Sequence, residues 1–147
     1  MSFTKDAWAG KRIRIIFILL FILYIVYLSY LLFFSRDYGR TPGSRSYNLV
    51  PFATIRKYLY ASGNADIALT NLMGNIGAFI PMGFLLPLAF KKFSGFLGTA
   101  LTILLATAAV ETVQYITGVG IWDVDDIILN MAGGIIGLAA SRLVRRP

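Results

Sequence analysis

The chain has no cysteine and no histidine among its 147 residues. These absences exclude disulfides, thiolate nucleophiles, zinc sites built on Cys or His, and imidazole general bases. Any metal would be a hard, oxygen-liganded ion such as Mg²⁺ or Ca²⁺. Acid–base chemistry would fall to carboxylates, tyrosine or lysine. Charge is scarce too: 14% of residues are charged, against about a quarter in soluble domains. Seven are acidic, and four of those, Glu111, Asp123, Asp125 and Asp126, fall within sixteen positions.

Hydrocarbon fills the rest. Hydrophobic residues make up 57% of the chain and the mean hydropathy is +0.70. Four spans of about 20 residues would use most of this length. The sequence therefore predicts an all-α polytopic membrane protein, a single domain over 1–147 built as a bundle of four transmembrane helices. Ile13 to Phe34 is an uninterrupted apolar run, too long for a signal-peptide core and without a following small-residue cleavage site. The other spans are expected at about Ile67 to Phe90, Phe96 to Ile116 and Val124 to Val144.

The net charge of +7 comes from lysines and arginines at segment ends rather than on a continuous face. That is how membrane-protein loops are charged, and it argues against nucleic-acid binding. With four spans, nine basic residues near the termini and at Lys91 and Lys92 share one side, against Arg36, Arg40, Arg45, Arg56 and Lys57 on the other. The bias places both termini in the cytoplasm. The first connection, Ser35 to Asp66, is long for a mere link. Its start reads as irregular. In its second half Asn48 can cap a helix whose first turn tolerates Pro51. Leu49, Phe52, Ile55 and Leu59 recur at helical spacing with Lys57 opposite. A short amphipathic or re-entrant helix on the outer surface is the expectation.

The polar residues of three spans share one depth. Counting about 1.5 Å per residue, Asn71 and Asn75 fall in the outer half of the second span. Glu111 and Gln114 fall in the last two turns of the third, and Asp123, Asp126 and Asn130 near the start of the fourth. Their three- and four-residue spacings give each helix one polar strip. Asp125 falls on another face, read as turned to water or to the helix N-terminus, where the dipole favours a carboxylate. An acid within a spanning helix costs roughly 2.5–3.5 kcal/mol near its centre, so the strips are expected to face one another. Interhelical glue is the bland alternative, at about 0.6 kcal/mol for a typical polar contact. Gly133, Gly137 and Ser141 form a small-residue stripe for close helix approach, with Gly74, Ala78 and Met82 on a similar stripe in the second span. Pro81 is placed to break the backbone ladder near mid-membrane.

Three blocks resemble the VanZ-like membrane proteins: "YNLVPF" at Tyr47 to Phe52, "GNIGAFIPMGFLLP" at Gly74 to Pro87, and "ETVQYITGVGIWDVDDIILNMAGGIIG" at Glu111 to Gly137. The matching positions include Asn48, Asn75, Glu111, Gln114, Asp123, Asp126 and Asn130. The resemblance implies a cell-envelope protein of the kind associated with resistance to the glycopeptide teicoplanin, with no catalytic activity attached. Many members carry an Arg close before the first Asp of the Asp123–Asp126 pair, where this chain has Gly120. A phosphate-directed arginine would have to come from Arg45 or Arg56.

Three functional readings follow. The first is a non-enzymatic envelope factor binding a lipid-linked or lipid-tailed molecule at the outer leaflet, such as teicoplanin or a cell-wall lipid precursor. Its ligand set would be Asn48, Arg56, Asn71, Asn75, Glu111, Gln114, Asp123, Asp126 and Asn130. The second is an enzyme acting on a lipid phosphate, with Glu111, Asp123 and Asp126 as catalytic residues or as ligands of a divalent cation. The third is a proton- or cation-coupled lipid carrier. Composition leaves the oligomeric state open.

Overall fold

A computed structural model describes residues 3–35, 46–60 and 65–144. Its elements are helix α1 (Phe3–Phe33), strand β1 (Tyr47–Asn48), helices α2 (Ala53–Tyr60) and α3 (Ala65–Ala89), a 3-10 turn (Lys91–Phe93), helix α4 (Phe96–Thr117), strand β2 (Trp122–Asp123) and helix α5 (Val124–Val144). Four stretches are long and apolar enough to cross a membrane: Gly10–Phe33, Leu69–Ala89, Phe96–Thr117 and Val124–Val144. Apolar run length alone therefore locates the bundle to within a few residues. Arg36, Arg40 and Arg45, the irregular opening of the first connection, and Arg145 and Arg146 lie outside the described residues.

Backbone contact holds α5 against α3. A Cβ added to Gly133 would overlap the Ile76 carbonyl, and one added to Gly137 would overlap the Ile80 carbonyl. Gly83 approaches Gly134 in the same way, while Gly134 also faces Ile103 of α4. The expected small stripe on α5 is present, but α3 answers it with Ile76, Ile80 and Gly83. Ala78 and Met82 turn instead to the core with Leu28 and Leu32 of α1, Phe79 and Ile103. Without much hydrophobic drive between helices in lipid, such close packing carries their association.

Pro81 and Pro87 do not break α3, which runs through both. Neighbours supply donors beside the interrupted ladder: the Tyr24 hydroxyl of α1 donates to the Ala78 carbonyl (2.7 Å). At the other end the Arg14 guanidinium donates to the Ala89 carbonyl (2.9 Å), a cation on the negative end of α3. The start of α1 and the end of α3 therefore share one end of the bundle. The opposite end holds α2, the α4–α5 connection and the polar residues. There α4 stops at Gly118, whose φ of 69° lets its N–H turn back to the Gln114 and Tyr115 carbonyls.

The short helix differs from its sequence reading. It begins at Ala53, after Leu49 and Phe52, and buries none of its residues. Phe52 sits at φ 65°, a region that costs a bulky residue steric strain. Asn48 does not cap it. It belongs to a two-residue parallel ladder in which Tyr47 pairs with Trp122 and Asn48 with Asp123. Two residues are too short a strand for hydrophobic alternation to reveal. This ladder ties the first connection to the start of α5.

Candidate functional site

Asp123 organises the site. Its Oδ1 accepts the Asp125 N–H (2.8 Å), which caps α5. The Asn48 amide donates to the same oxygen (2.9 Å), and the Thr54 hydroxyl donates to Oδ2 (2.6 Å). Asn48 completes the knot by donating to Thr54 Oγ1 (3.1 Å) and accepting the Val50 N–H (3.0 Å). From α4, Glu111 Oε2 accepts the Asp123 N–H (3.1 Å). These hydrogen bonds fix the connection, α4 and α5 to one another.

Asp125 is fully buried, not turned to water. It does meet a helix N-terminus, but that of α2 rather than its own: Oδ1 accepts the Phe52 N–H (2.5 Å), and Oδ2 accepts those of Thr54 (2.7 Å) and Ile55 (3.1 Å). The first N–H groups of any helix need outside acceptors, and α2 draws its acceptor from 70 positions away. Local capping signals cannot reveal such a pairing.

The polar strips converge on a cavity of about 250 Å³. Asn71, Asn75, Glu111, Gln114, Asp123, Asp126 and Asn130 all line it. The Asn75 amide of α3 donates to Asp126 Oδ1 of α5. The Gln114 amide reaches the Leu32 carbonyl at the end of α1 (2.9 Å). Asn130, 3% exposed, donates to the Thr107 hydroxyl of α4 (2.7 Å), while its Oδ1 is buried without a hydrogen-bond partner. A buried polar atom left so costs about 1–3 kcal/mol.

Two candidates stand apart from the cavity itself. Asn48 acts through Asp123 and Thr54 rather than lining it, and Arg56 is exposed on α2. Among the described residues Lys57 supplies the basic group on the wall, which Thr54, Tyr58 and Thr70 also line. Burial, then the charges of Asp126 and Asp123, push the Tyr58 phenol above its ordinary range, so it stays a neutral hydroxyl. Lys57 is expected from sequence on the outer-surface helix but not in the site, and Thr54, Tyr58, Thr70 and Thr107 carry no expectation there. Thr107 was legible, since it precedes Glu111 by four positions on the same helical stripe. Among the described residues, no group of three or more acids gathers into a metal-holding cluster: both Asp123 oxygens face amide, hydroxyl and N–H donors.

The family model for VanZ/LLP1 matches residues 21–145. The chain belongs to the VanZ/LLP1 family. It is also 36% identical over 94 residues to Protein VanZ of Enterococcus faecium, a match covering 64% of this chain and 51% of that protein. The chain thus spans about half the length of this curated VanZ relative. No solved structure matches. The family region contains every residue that lines the cavity.

Proposed function

We propose that this VanZ/LLP1 protein is a membrane-embedded envelope factor that binds a lipid-linked or lipid-tailed molecule in the cavity bounded by α2, α3, α4 and α5. One observation carries the reading. Three spanning helices deliver Asn75, Glu111, Asp126 and Asn130 to one cavity, and the buried Asn130 oxygen lacks a protein partner. Glue between helices is satisfied within the protein; this network leaves an acceptor over. At about 250 Å³ the space falls just below the usual range of roughly 300–1,000 Å³ for small-molecule sites. It suits a head group rather than a whole drug-sized molecule. The lysine and arginine bias supports cytoplasmic termini and, with them, a cavity at the outer leaflet. A lipid-tailed glycopeptide such as teicoplanin and a lipid-linked cell-wall precursor are both candidates by class.

Native mass spectrometry of the purified chain tests this. A stoichiometric lipid adduct that survives EDTA and disappears in Glu111→Gln is the expected result. An adduct that forms only with a divalent cation, and is chemically altered in the parent but not in Asp126→Asn, would favour the enzyme reading. Lipid or proton movement in reconstituted vesicles would favour a carrier. A parent chain that carries no lipid contradicts the proposal.

A further inference from the structure

A second cavity, about 320 Å³, lies between α1 and α3. Tyr27, Leu28 and Leu31 of α1 face Met73, Gly77 and Pro81 of α3 across it, and among the described residues no charged side chain lines it. Gly74 lines both this groove and the polar cavity. Leu31 lines the groove, and its neighbour Leu32 lines the polar cavity. The two spaces therefore adjoin at one end of the groove. From Gly74 to Pro81 the groove follows α3 for about 10 Å, roughly a third of a 30 Å hydrocarbon core. It runs from the polar layer toward mid-membrane.

Gly77 shows that this space is open rather than packed. A Cβ added there would meet nothing within 4 Å, whereas those at Gly83, Gly133 and Gly137 would overlap backbone. At the groove's edge Tyr27 is 59% and Met73 55% exposed. In a spanning bundle that exposure is to lipid chains, so the groove can be entered sideways from the bilayer.

The polar cavity specifies the other half of the occupant. Among the described residues its wall offers the carboxyls of Glu111, Asp123 and Asp126 against one basic side chain, Lys57. A phosphate would bring negative charge and acceptors to a wall that is already acidic and rich in acceptors. Hydroxyls would bring donors to those carboxyl groups, and an ammonium would bring opposite charge as well. We propose that the occupant is an amphiphile whose head donates hydrogen bonds, as a sugar or an ammonium does, and whose hydrocarbon tail lies in the α1–α3 groove beside Gly77. This rests on the binding role proposed above, and adds the chemistry of the head and the path of the tail.

Three probes share one tail and differ in head: dodecyl glucoside, dodecylammonium and dodecyl phosphate. Each is titrated against the full chain in amphipol, and binding is read by native mass spectrometry. The glucoside or the ammonium binds at least about tenfold more tightly than the phosphate, and which of the two leads distinguishes a sugar from an amine. Gly77→Leu weakens both by at least about tenfold, the factor that about two buried methylenes supply. Its melting temperature stays at the parent's because the new side chain enters open space, and Gly77→Ala gives a graded, smaller loss. Tightest binding of the phosphate overturns the head assignment. Unchanged binding by a folded Gly77→Leu overturns the tail path. If the parent keeps a native lipid adduct that no probe displaces, this proposal fails and the binding role stands; with neither adduct nor probe binding, both fail.

Discussion

The middle of the bundle and its cavity end solve opposite problems with the same helices. In the middle, α3 and α5 meet backbone to backbone at Gly133 and Gly137, with no room for even a methyl group. At the cavity end the same pair meets through side chains, with Asn75 bonded to Asp126 on the wall of a space of about 250 Å³. Contact in one region sets the separation in the other. Polar residues there can then be left incompletely satisfied, as Asn130 is, because they are not needed to hold the helices together. A site whose ligand supplies the missing donor needs such a division.

Disturbing the middle should do the most damage. Gly133→Leu pushes its side chain into the Ile76 carbonyl and should cost about 3 kcal/mol, the upper part of the overpacking range. A sharply lower melting temperature and loss of any bound lipid together would show it. If the variant melts like the parent, the middle is not what fixes the spacing.

Next comes the strap over the cavity. Asp125→Ala strips three N–H groups of their acceptor and should destabilise by about 2–3 kcal/mol. Hydrogen exchange should rise first in residues 53–60, ahead of the spanning helices. Uniform loss of protection would mean that the strap and the bundle are one cooperative unit.

Asp126→Asn sharpens the comparison from the other side. It replaces the carboxyl by an amide but keeps an acceptor for Asn75, so stability should move by about 1 kcal/mol or less while the lipid adduct is lost. Arg14→Ala, at the far end of the bundle, should cost only about 0.5 kcal/mol and leave the adduct intact. Tyr58→Phe gives the smallest signal, read by pH. The folded Tyr58 keeps its proton to a higher pH than the unfolded chain does. Stability therefore falls as pH rises above about 10, where the unfolded phenol ionises, until the folded one does too. Melting curves above that pH should fall less steeply in Tyr58→Phe.

How much of this was legible depended on the range of the interaction. Apolar run length placed the spans, because a bilayer's thickness sets how many residues a helix needs. Periodicity within a helix put Asn71 with Asn75 and Glu111 with Gln114, since residues three and four apart share a face. Depth then brought the strips to the same level. Pairings between distant segments left no local trace. Asp125 gave the signal of an ordinary first-turn acid, and only the fold shows it capping α2. The pairing of Asn48 with Asp123 spans 75 positions, beyond any periodic pattern. The groove at Gly77 was hidden because its small residues have the composition of a packing stripe while leaving space open.

The absence of native cysteine allows one direct test. Asn71→Cys places a thiol on the cavity wall, and Leu49→Cys places one on the exposed connection outside it. A membrane-impermeant maleimide is applied to intact cells, and the purified protein is then weighed with its bound lipid. Both thiols should react from outside, and modification at position 71 alone should displace the lipid. Failure of position 71 to react, or a lipid retained beside the modified thiol, would contradict a lipid site at the outer leaflet.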